Sequence, residues 1–240
     1  MTYSAIVIGA GDATGGAIAK RIAREGMPVA PVRRTADALQ DLAEEIVAGG
    51  SKCLPIGADA RKEEDVIAAF DKTEAELGPV DLAVFNIGAN VRFPFAEIEE
   101  RKFRKIWELA CFAGFLTARE AARRMVPRGR GTVIVTGASA SVKGYPGGAA
   151  FGSAKFALRG MAQAMARELG PQGIHVCHTI IDGAIDTAFI RDNFPQMYAK
   201  KEQDGILNPD HIADEYWRLY QQPRDAWTHE LELRPWLESF

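Results

Sequence analysis

The sequence predicts a single α/β domain, a doubly wound parallel β-sheet of about seven strands flanked by helices, which is a Rossmann-type fold. Two observations predict it. Short apolar, β-branched runs alternate with amphipathic stretches along almost the whole chain, which is typical of βαβ crossovers. The first run leads into the turn Gly9-Ala10-Gly11 and then into a helical pattern, the context of a dinucleotide-binding turn. No linker or repeat divides the 240 residues, so we predict one domain over residues 1–240.

The predicted strands are short runs of almost continuous apolarity, as expected when a parallel sheet is buried on both faces. They cover residues 3–9, 28–33, 52–57, 80–86, 131–137, 174–181 and 227–233. The predicted helices carry apolar residues at helical spacing. They cover residues 16–25, 36–47, 63–77, 101–125, 154–169 and 209–220.

Residues 187–208 fit neither the strand period nor the helix period. The segment mixes Phe189, Phe194 and Tyr198 with charged residues. A long irregular segment in a compact domain is often a lid over a ligand, so we predict a substrate lid here. An ordinary surface excursion is the alternative.

The composition excludes several classes of partner. Hydrophobic residues make up 47% and charged residues 25% of the chain, and the net charge is −3, which favours an ordinary globular protein without a nucleic-acid or anionic-membrane partner. No apolar run approaches the roughly 18 residues of a membrane helix, and there is no signal-peptide pattern. Cys53, Cys111 and Cys177 are scattered, which suits a reducing compartment. We expect a cytoplasmic protein that acts on a small molecule.

The glycine-rich turn predicts a phosphate-binding site. Glycine permits the tight turn and lets backbone N–H groups approach a pyrophosphate at the helix N-terminus. In a Gly-x-Gly-x-x-Gly reading that starts at Gly9, the second glycine is Gly11 and the third position falls on Thr14, one residue before Gly15. The alternative is a bare turn between a strand and a helix.

A second motif identifies a family resemblance. Phe151 and Lys155 follow the strand-like run 132–136 at the spacing of a Tyr-x-x-x-Lys motif, with Phe in place of Tyr. Together with the turn, this segment resembles the short-chain dehydrogenase/reductase family. The resemblance implies a nicotinamide cofactor, hydride transfer to or from a small substrate, and a homodimer or homotetramer formed through the helices at 101–125 and 154–169 and the C-terminal strand.

The resemblance changes the register of the glycine turn. Gly9 and Gly15 match the first and third family glycines, and Ala13 replaces the second. Alanine is tolerated there at negative φ, and costs about 1–2 kcal/mol if the position is left-handed. The cofactor contacts assigned to this turn by resemblance are Gly9, Gly11, Asp12, Ala13, Thr14 and Gly15.

The end of the second strand bears on the choice of cofactor. An acid at this point accepts from the ribose 2′-hydroxyl of NAD, whereas arginine pairs with the 2′-phosphate of NADP. The chain has Arg33 and Arg34 and no acid, so we expect NADP(H) in preference to NAD(H). Two features leave the choice open. Asp12 lies where NADP-using relatives often carry a basic residue, and both arginines can simply be solvated.

Further cofactor contacts are implied by resemblance alone. Asp59 and Ala60, after the third strand, match the adenine-contacting segment of the family. Asn86 and Gly88, after the fourth strand, match the end of its Asn-Asn-Ala-Gly motif, and Thr187 matches a carboxamide contact. Turn formation at strand ends is the alternative for Asn86 and Gly88, since both residue types favour turns.

The resemblance places the four catalytic groups of the family, Asn, Ser, Tyr and Lys, at Cys111, Ala138, Phe151 and Lys155. Only the lysine is retained. In the family it lowers the pKa of the tyrosine and holds the nicotinamide ribose, so we expect Lys155 to hold the ribose. Loss of general acid–base help is typically worth 10²–10⁴-fold in rate.

Three other side chains are candidates for the missing proton donor. Tyr145 lies in a flexible glycine-rich stretch, Asp182 lies where relatives carry Pro, and Ser139 is one residue from the family Ser position. Capping a turn is the alternative role for Asp182. For the thiol of Cys111, we favour packing in the core.

The sequence therefore predicts an NADP-dependent oxidoreductase with a non-standard proton donor. The alternative is a catalytically inactive nicotinamide-nucleotide sensor or a structural partner in an oligomer. A third interpretation, in which Asp12 and Ala13 reflect a degraded cofactor site, is weaker. No metal site is predicted, because His175 and His178 point to opposite faces of a strand.

Overall fold

The computed structural model describes residues 2–239, and within them the chain forms one seven-stranded sheet. The strands are β1 (Ser4–Ile8), β2 (Val29–Arg33), β3 (Ile56–Gly57), β4 (Val80–Phe85), β5 (Gly131–Thr136), β6 (Ile174–Ile181) and β7 (Glu230–Leu233). They are ordered β3-β2-β1-β4-β5-β6-β7, and every pair is parallel. The predicted fold class is confirmed. The strand order reverses between β1 and β4, which is where doubly wound sheets bind ligands.

Helices connect the strands on both sides of the sheet. They are α1 (Thr14–Arg24), α2 (Gln40–Ala48), α3 (Glu63–Leu77), α4 (Glu100–Trp107), α5 (Ala113–Met125), α6 (Ala149–Leu169), α7 (Ala188–Asn193), α8 (Pro195–Tyr198) and α9 (Pro209–Gln221). A π-helical turn, Glu108–Phe112, joins α4 to α5. Among residues 2–239, no helix is both long and apolar enough to cross a membrane.

The two faces of the sheet bury separate cores. Along β1, Ile6 and Ile8 pack on one face with α3, α5 and α6, while Ala5 and Val7 pack on the other with α1, α2 and α9. Successive side chains of a strand point to opposite faces, so continuous apolarity is what a sheet covered on both sides requires. All five residues of β1 are buried.

Two predicted boundaries are wrong. The helix predicted from residue 154 begins at Ala149, because Ala149 and Ala150 are strong helix formers. Lys155 consequently lies in the second turn of α6, not at its start. The third strand is reduced to Ile56–Gly57, since Pro55 has no N–H with which to continue the ladder.

Residues 187–208, here called the lid segment, contain more regular structure than predicted. They form α7, α8 and a 3₁₀ turn, Ala199–Gln203. The Oγ1 of Thr187 caps α7 by accepting from the N–H of Ile190 at 3.1 Å. Helices of only four to six residues are too short to show a period in the sequence. The ends of the segment are held together by a bridge between Ile185 and Leu207.

Candidate functional site

The glycine turn is sterically locked against the end of β4. Gly9 has a φ of +92°, and a Cβ on it would lie 2.6 Å from the backbone O of Asn86. A Cβ on Gly15 would lie 2.3 Å from the O of Gly9. At Gly11, by contrast, a Cβ would have no atom within 4 Å. Ala13 has a φ of −119°, so the strain of a left-handed alanine does not arise.

The first turn of α1 presents free backbone donors. Ala13 is the N-cap residue and has no side chain that can accept from the turn, and the first turn contains no acidic residue. Thr14, the first residue of α1, is buried. An uncapped helix N-terminus carries N–H groups without intrahelical partners and a partial positive charge. The turn is therefore suited to an anion such as a pyrophosphate.

The two arginines at the end of β2, Arg33 and Arg34, lie near the acids Asp12 and Asp59. Arg33 donates from Nη1 to the Oδ1 of Asp12 at 3.3 Å and to the backbone O of Ala38 at 3.1 Å. Arg34 is exposed and is close enough to Asp59 to help lower the pKa of that carboxyl. Two guanidinium groups thus lie at this corner, and one of them is already shared with Asp12.

Asp59 is held by a neighbour rather than left free. Arg61 donates to its two carboxylate oxygens at 2.9 and 2.5 Å. This hydrogen-bonded pair lowers the pKa of Asp59 to about 2. The N–H of Asp59 donates to Asp65, and Ala60 is buried. The segment predicted to contact adenine is therefore rigid, with its carboxylate committed to Arg61.

Asn86 links the two strand ends at the switch point. Its Nδ2 donates to the backbone O of Gly9 at 3.3 Å, which ties the end of β4 to the turn after β1. Gly88, two residues on, has open space where a Cβ would lie. Asn86 therefore has a clear structural role in the turn, while glycine is not sterically required at position 88.

Lys155 is buried at the carboxyl ends of the central strands. Its side chain is 2% exposed, and Nζ donates to the backbone O of Thr136 at 2.6 Å and of Ile87 at 3.1 Å. The centroid of the Phe151 ring lies 5.8 Å from Nζ. Burial lowers the pKa of Lys155 to about 7. An ammonium held by carbonyl oxygens thus lies where the family lysine is expected.

The three other family positions come together in one apolar cluster. Cys111 on the π-helical turn and Phe151 on α6 are 5% and 4% exposed, and Ala138 packs against the same cluster. Burial raises the pKa of the Cys111 thiol, against a smaller lowering by Lys155. The three positions that the resemblance assigns to Asn, Ser and Tyr thus lie together, and none of the three side chains is acidic near neutral pH.

Asp182 and Ser139 bind each other. The Oγ of Ser139 donates to one carboxylate oxygen of Asp182 and Nη2 of Arg234 to the other, and Nζ of Lys143 lies 3.9 Å away. Burial raises the pKa of Asp182, but the hydrogen bonds from Ser139 and Arg234 outweigh it, so the pKa is lower than usual. Asp182 is therefore a carboxylate near neutral pH, and a poor proton donor.

Tyr145 packs against the apolar cluster that contains Phe151, with its hydroxyl turned to Asn90. The OH donates to the Oδ1 of Asn90 at 3.1 Å, the guanidinium of Arg92 lies 5.0 Å from the ring centroid, and a Cβ on Gly148 would lie 2.4 Å from the ring. Burial raises the pKa of Tyr145. This phenol keeps its proton near neutral pH.

A buried polar chain near Ala138 was not predicted. Nδ1 of His178 lies 3.1 Å from the Oε2 of Glu230, and Nε2 lies 3.2 Å from the Oγ of Ser141. Ser141 accepts in turn from the N–H of Ala138 at 3.1 Å. Burial lowers the pKa of His178 to about 4, so the ring is neutral at pH 7 and fixes the turn. The signal in the sequence was the presence of two histidines, His175 and His178, on a largely apolar strand.

The structure offers no metal site among residues 2–239, since no three His, Cys, Asp or Glu side chains are grouped to hold an ion. His175 stacks on Trp227 with ring centroids 5.0 Å apart, and its Nε2 donates to the backbone O of Thr228 at 2.8 Å. His178 belongs to the polar chain above. Both histidines are accounted for by packing.

Comparisons with known proteins show which proteins this chain resembles in sequence and in fold. A family model described as short chain dehydrogenase matches residues 3–197. The structure of a short-chain dehydrogenase from Rhodopseudomonas palustris is 44% identical, with a TM-score of 0.84 over 98% of this chain and 99% of that one.

Two other relatives carry more specific names. An alcohol dehydrogenase from the archaeon Thermococcus sibiricus, solved in complex with 5-hydroxy-NADP, is 26% identical with a TM-score of 0.87 over 100% of this chain and 99% of that one. A glycine betaine reductase of Emericella nidulans is 28% identical over 235 residues, which is 96% of this chain and only 18% of that protein. The chain thus spans a small part of the second relative.

Proposed function

The chain belongs to the short-chain dehydrogenase family, and on that basis we propose that it is an NADP(H)-dependent oxidoreductase. The reaction is hydride transfer to or from a small carbonyl, alcohol or activated double bond, with a non-standard proton donor. The observation that carries the proposal is Lys155, an ammonium that is 2% exposed and has only carbonyl oxygens as hydrogen-bond partners. Burial of a charge without a counter-ion costs stability, so a function best explains its presence.

The residues present fit a nicotinamide dinucleotide. The first turn of α1 lacks a cap and an acid, and Gly11 leaves open space beside it, so its N–H groups can bind the pyrophosphate. Of the three donors of an ammonium, Lys155 uses two on Thr136 and Ile87. The third can donate to a ribose hydroxyl. The bound nicotinamide supplies the hydride.

Two observations favour NADP(H) over NAD(H). Arg33 and Arg34 lie at the end of β2, and guanidinium groups match the geometry of a phosphate. The alcohol dehydrogenase of Thermococcus sibiricus was solved with an NADP derivative. Asp12 opposes the preference, because a 2′-phosphate at Arg33 would have to share that side chain with it.

Tyr145 is the proton donor that we would test first. Among the three candidates, Asp182 is a carboxylate, and the hydroxyl of Ser139 is engaged in a hydrogen bond to that carboxylate. Tyr145 retains its proton near neutral pH and packs in the same cluster as Phe151. Substrates that need no proton from the protein, such as an iminium or an activated C=C bond, would relax this requirement.

A non-catalytic nucleotide-binding protein is the second candidate. It is favoured by the apolar cluster itself, in which Cys111, Ala138 and Phe151 pack together where the family has polar groups. In either case we propose a cytoplasmic homodimer or homotetramer. Phe115 on α5 and Phe156 on α6 are 38% and 45% exposed, and a second copy would cover them.

The test is a fluorescence titration of the protein with NADPH and NADH, followed by assays on a panel of carbonyls, alcohols and activated alkenes. We expect tight NADPH binding that is weakened at least tenfold in Lys155→Ala, as for a lost charged hydrogen bond. Lys155→Met, which fills the same space, guards against a folding defect. Binding without turnover supports the second candidate, and no binding of either nucleotide overturns both.

A further inference from the structure

A cleft of about 400 Å³ separates the start of α1 from the lid segment. One wall is formed by the glycine turn and α1, including Ala13, Gly16 and Lys20, and the other by lid residues that include Thr187 and Arg191. The two walls come from parts of the chain more than 150 residues apart. A ligand on the first wall would therefore also face the lid.

The α1 wall attracts anions but supplies little side-chain charge of its own. Its N-terminal turn is uncapped and free of acids. Lys20, one turn further along, is paired with Glu45 at 3.2 Å. A phosphate group bound here would have backbone donors on one side and would need a cation from the other wall.

Two of the three acids of the cleft have cationic partners. Asp12 is paired with Arg33 at 3.3 Å and Asp186 with Lys201 at 2.7 Å. Asp210 lies in the first turn of α9, where the helix dipole stabilises a carboxylate. Before a ligand binds, the carboxylates of Asp12 and Asp186 are therefore paired with cations, and that of Asp210 lies at the positive end of a helix dipole.

Arg191 is the cation of the lid wall. Its side chain is 57% exposed, and its ion pair is with the adjacent Asp192, which is 60% exposed. Exposed pairs of this kind contribute little and rearrange readily. We propose that Arg191 binds the pyrophosphate of the dinucleotide from the lid side, so that the cofactor holds the lid segment over the site.

This inference rests on the proposed function, because it takes the dinucleotide as the ligand. The pyrophosphate is common to NADPH, NADH and ADP-ribose, so Arg191 should contribute equally to all three. The two ends of the lid segment are joined by the bridge between Ile185 and Leu207, and most residues between them are exposed, so few packed side chains oppose its approach to a ligand.

The experiment measures the dissociation constants of NADPH, NADH and ADP-ribose for the wild type, Arg191→Gln and Arg191→Lys. We expect Arg191→Gln to weaken all three by a similar factor, about tenfold to a hundredfold, as for loss of a charge-assisted contact. Arg191→Lys should lie between, because an ammonium keeps the charge and loses the bidentate fork. Lys200→Gln, an exposed lid cation outside the cleft, is the matched control and should stay within about twofold.

A second readout follows the lid directly. Trypsin cleavage after Lys201 should be slowed by ADP-ribose in the wild type and in Lys200→Gln, and not in Arg191→Gln at a concentration that saturates it. Equal affinities and equal protection in Arg191→Gln would overturn the inference while leaving the proposed function standing. If the wild type binds none of the three nucleotides, the proposed function and the inference both fail.

Discussion

The proposed cofactor side of the candidate site and its proposed reaction centre share one edge of the sheet but are built from different kinds of residue. The cofactor side, Gly9, Gly15 and Asn86, depends on the path of the backbone, since a side chain on either glycine would overlap its neighbours. The reaction centre, Cys111, Ala138 and Phe151 in one apolar cluster, would depend on functional groups. Replacing a phenol by a phenyl ring leaves such packing almost unchanged. A substitution in the first region therefore destabilises the fold, whereas a substitution in the second can remove a functional group without destabilising it.

The two regions also differ in how strongly they indicate a ligand. The glycines are required by the fold itself, so their presence says little about whether a nucleotide binds. Lys155 says more, because a buried ammonium without a carboxylate partner destabilises the protein. Its presence is difficult to explain by packing, and it lies between the two regions, 5.8 Å from the Phe151 ring.

The largest effect is expected from rebuilding the reaction centre. Phe151→Tyr with Ala138→Ser restores a phenol near the Lys155 ammonium, which lowers the pKa of a neighbouring tyrosine. Carbonyl reduction with NADPH should then rise by about 10²–10⁴-fold, the usual value of general acid–base help. Single-turnover rates on the carbonyl panel provide the measurement, with each single variant as a control. No gain in a double variant that still binds NADPH would mean that the substrate pocket has diverged as well.

The next effect concerns the backbone of the cofactor side. Gly9→Ala should lower the free energy of unfolding by about 2–4 kcal/mol, through the left-handed φ and the overlap with Asn86. Gly11→Ala is the matched control, because its added methyl meets open space, and it should change stability by less than about 0.5 kcal/mol. Denaturant unfolding of both variants checks this. Equal stabilities would show that the turn is not sterically locked.

The most gradual effect is the pH dependence that Lys155 confers on stability. Burial lowers its pKa from 10.5 to about 7, so between these values the unfolded chain binds more protons than the folded one, and stability rises with pH. Relative to Lys155→Met, the wild type should therefore become steadily more stable as the pH rises from 7 to 10. Below pH 7, Lys155 is protonated in both the folded and the unfolded chain, and its burial destabilises the folded chain most.

Denaturant unfolding of the two proteins at each pH tests this, because groups other than Lys155 cancel in the difference. Lys200→Met serves as the control for loss of an exposed lysine and should show a flat difference from the wild type. A flat difference for Lys155→Met as well would mean that burial does not penalise the ammonium, and Lys155 would then no longer indicate a ligand more strongly than the glycines do.

Much of the site was predictable because its signals are local. The glycine turn is a contiguous motif, and the spacing of Phe151 and Lys155 is set by one helix. The helices within the lid segment were not predictable, since α7 and α8 are shorter than two helical turns. The protonation states were not predictable either, because each depends on partners far along the chain.

Asp182 illustrates this limit. From the sequence it was an open candidate for a proton donor, and in the fold Ser139 and Arg234, 43 and 52 residues away, hold it as a carboxylate. His178 is similar, since Ser141 and Glu230 reach it from two other elements. A pKa is decided by burial and by the nearest charges, and neither can be read from adjacent residues.

The sequence by itself determined the parallel sheet and the glycine turn, and it gives Cys111, Ala138 and Phe151 at the positions that the family resemblance assigns to Asn, Ser and Tyr. These follow from periodicity and spacing, which involve residues close along the chain. Only the tertiary structure decided that the three positions pack into one apolar cluster, that Lys155 is buried with carbonyl partners, and that Arg191 faces the start of α1. Those facts depend on contacts between distant segments, which form when the sheet brings the carboxyl ends of its strands together.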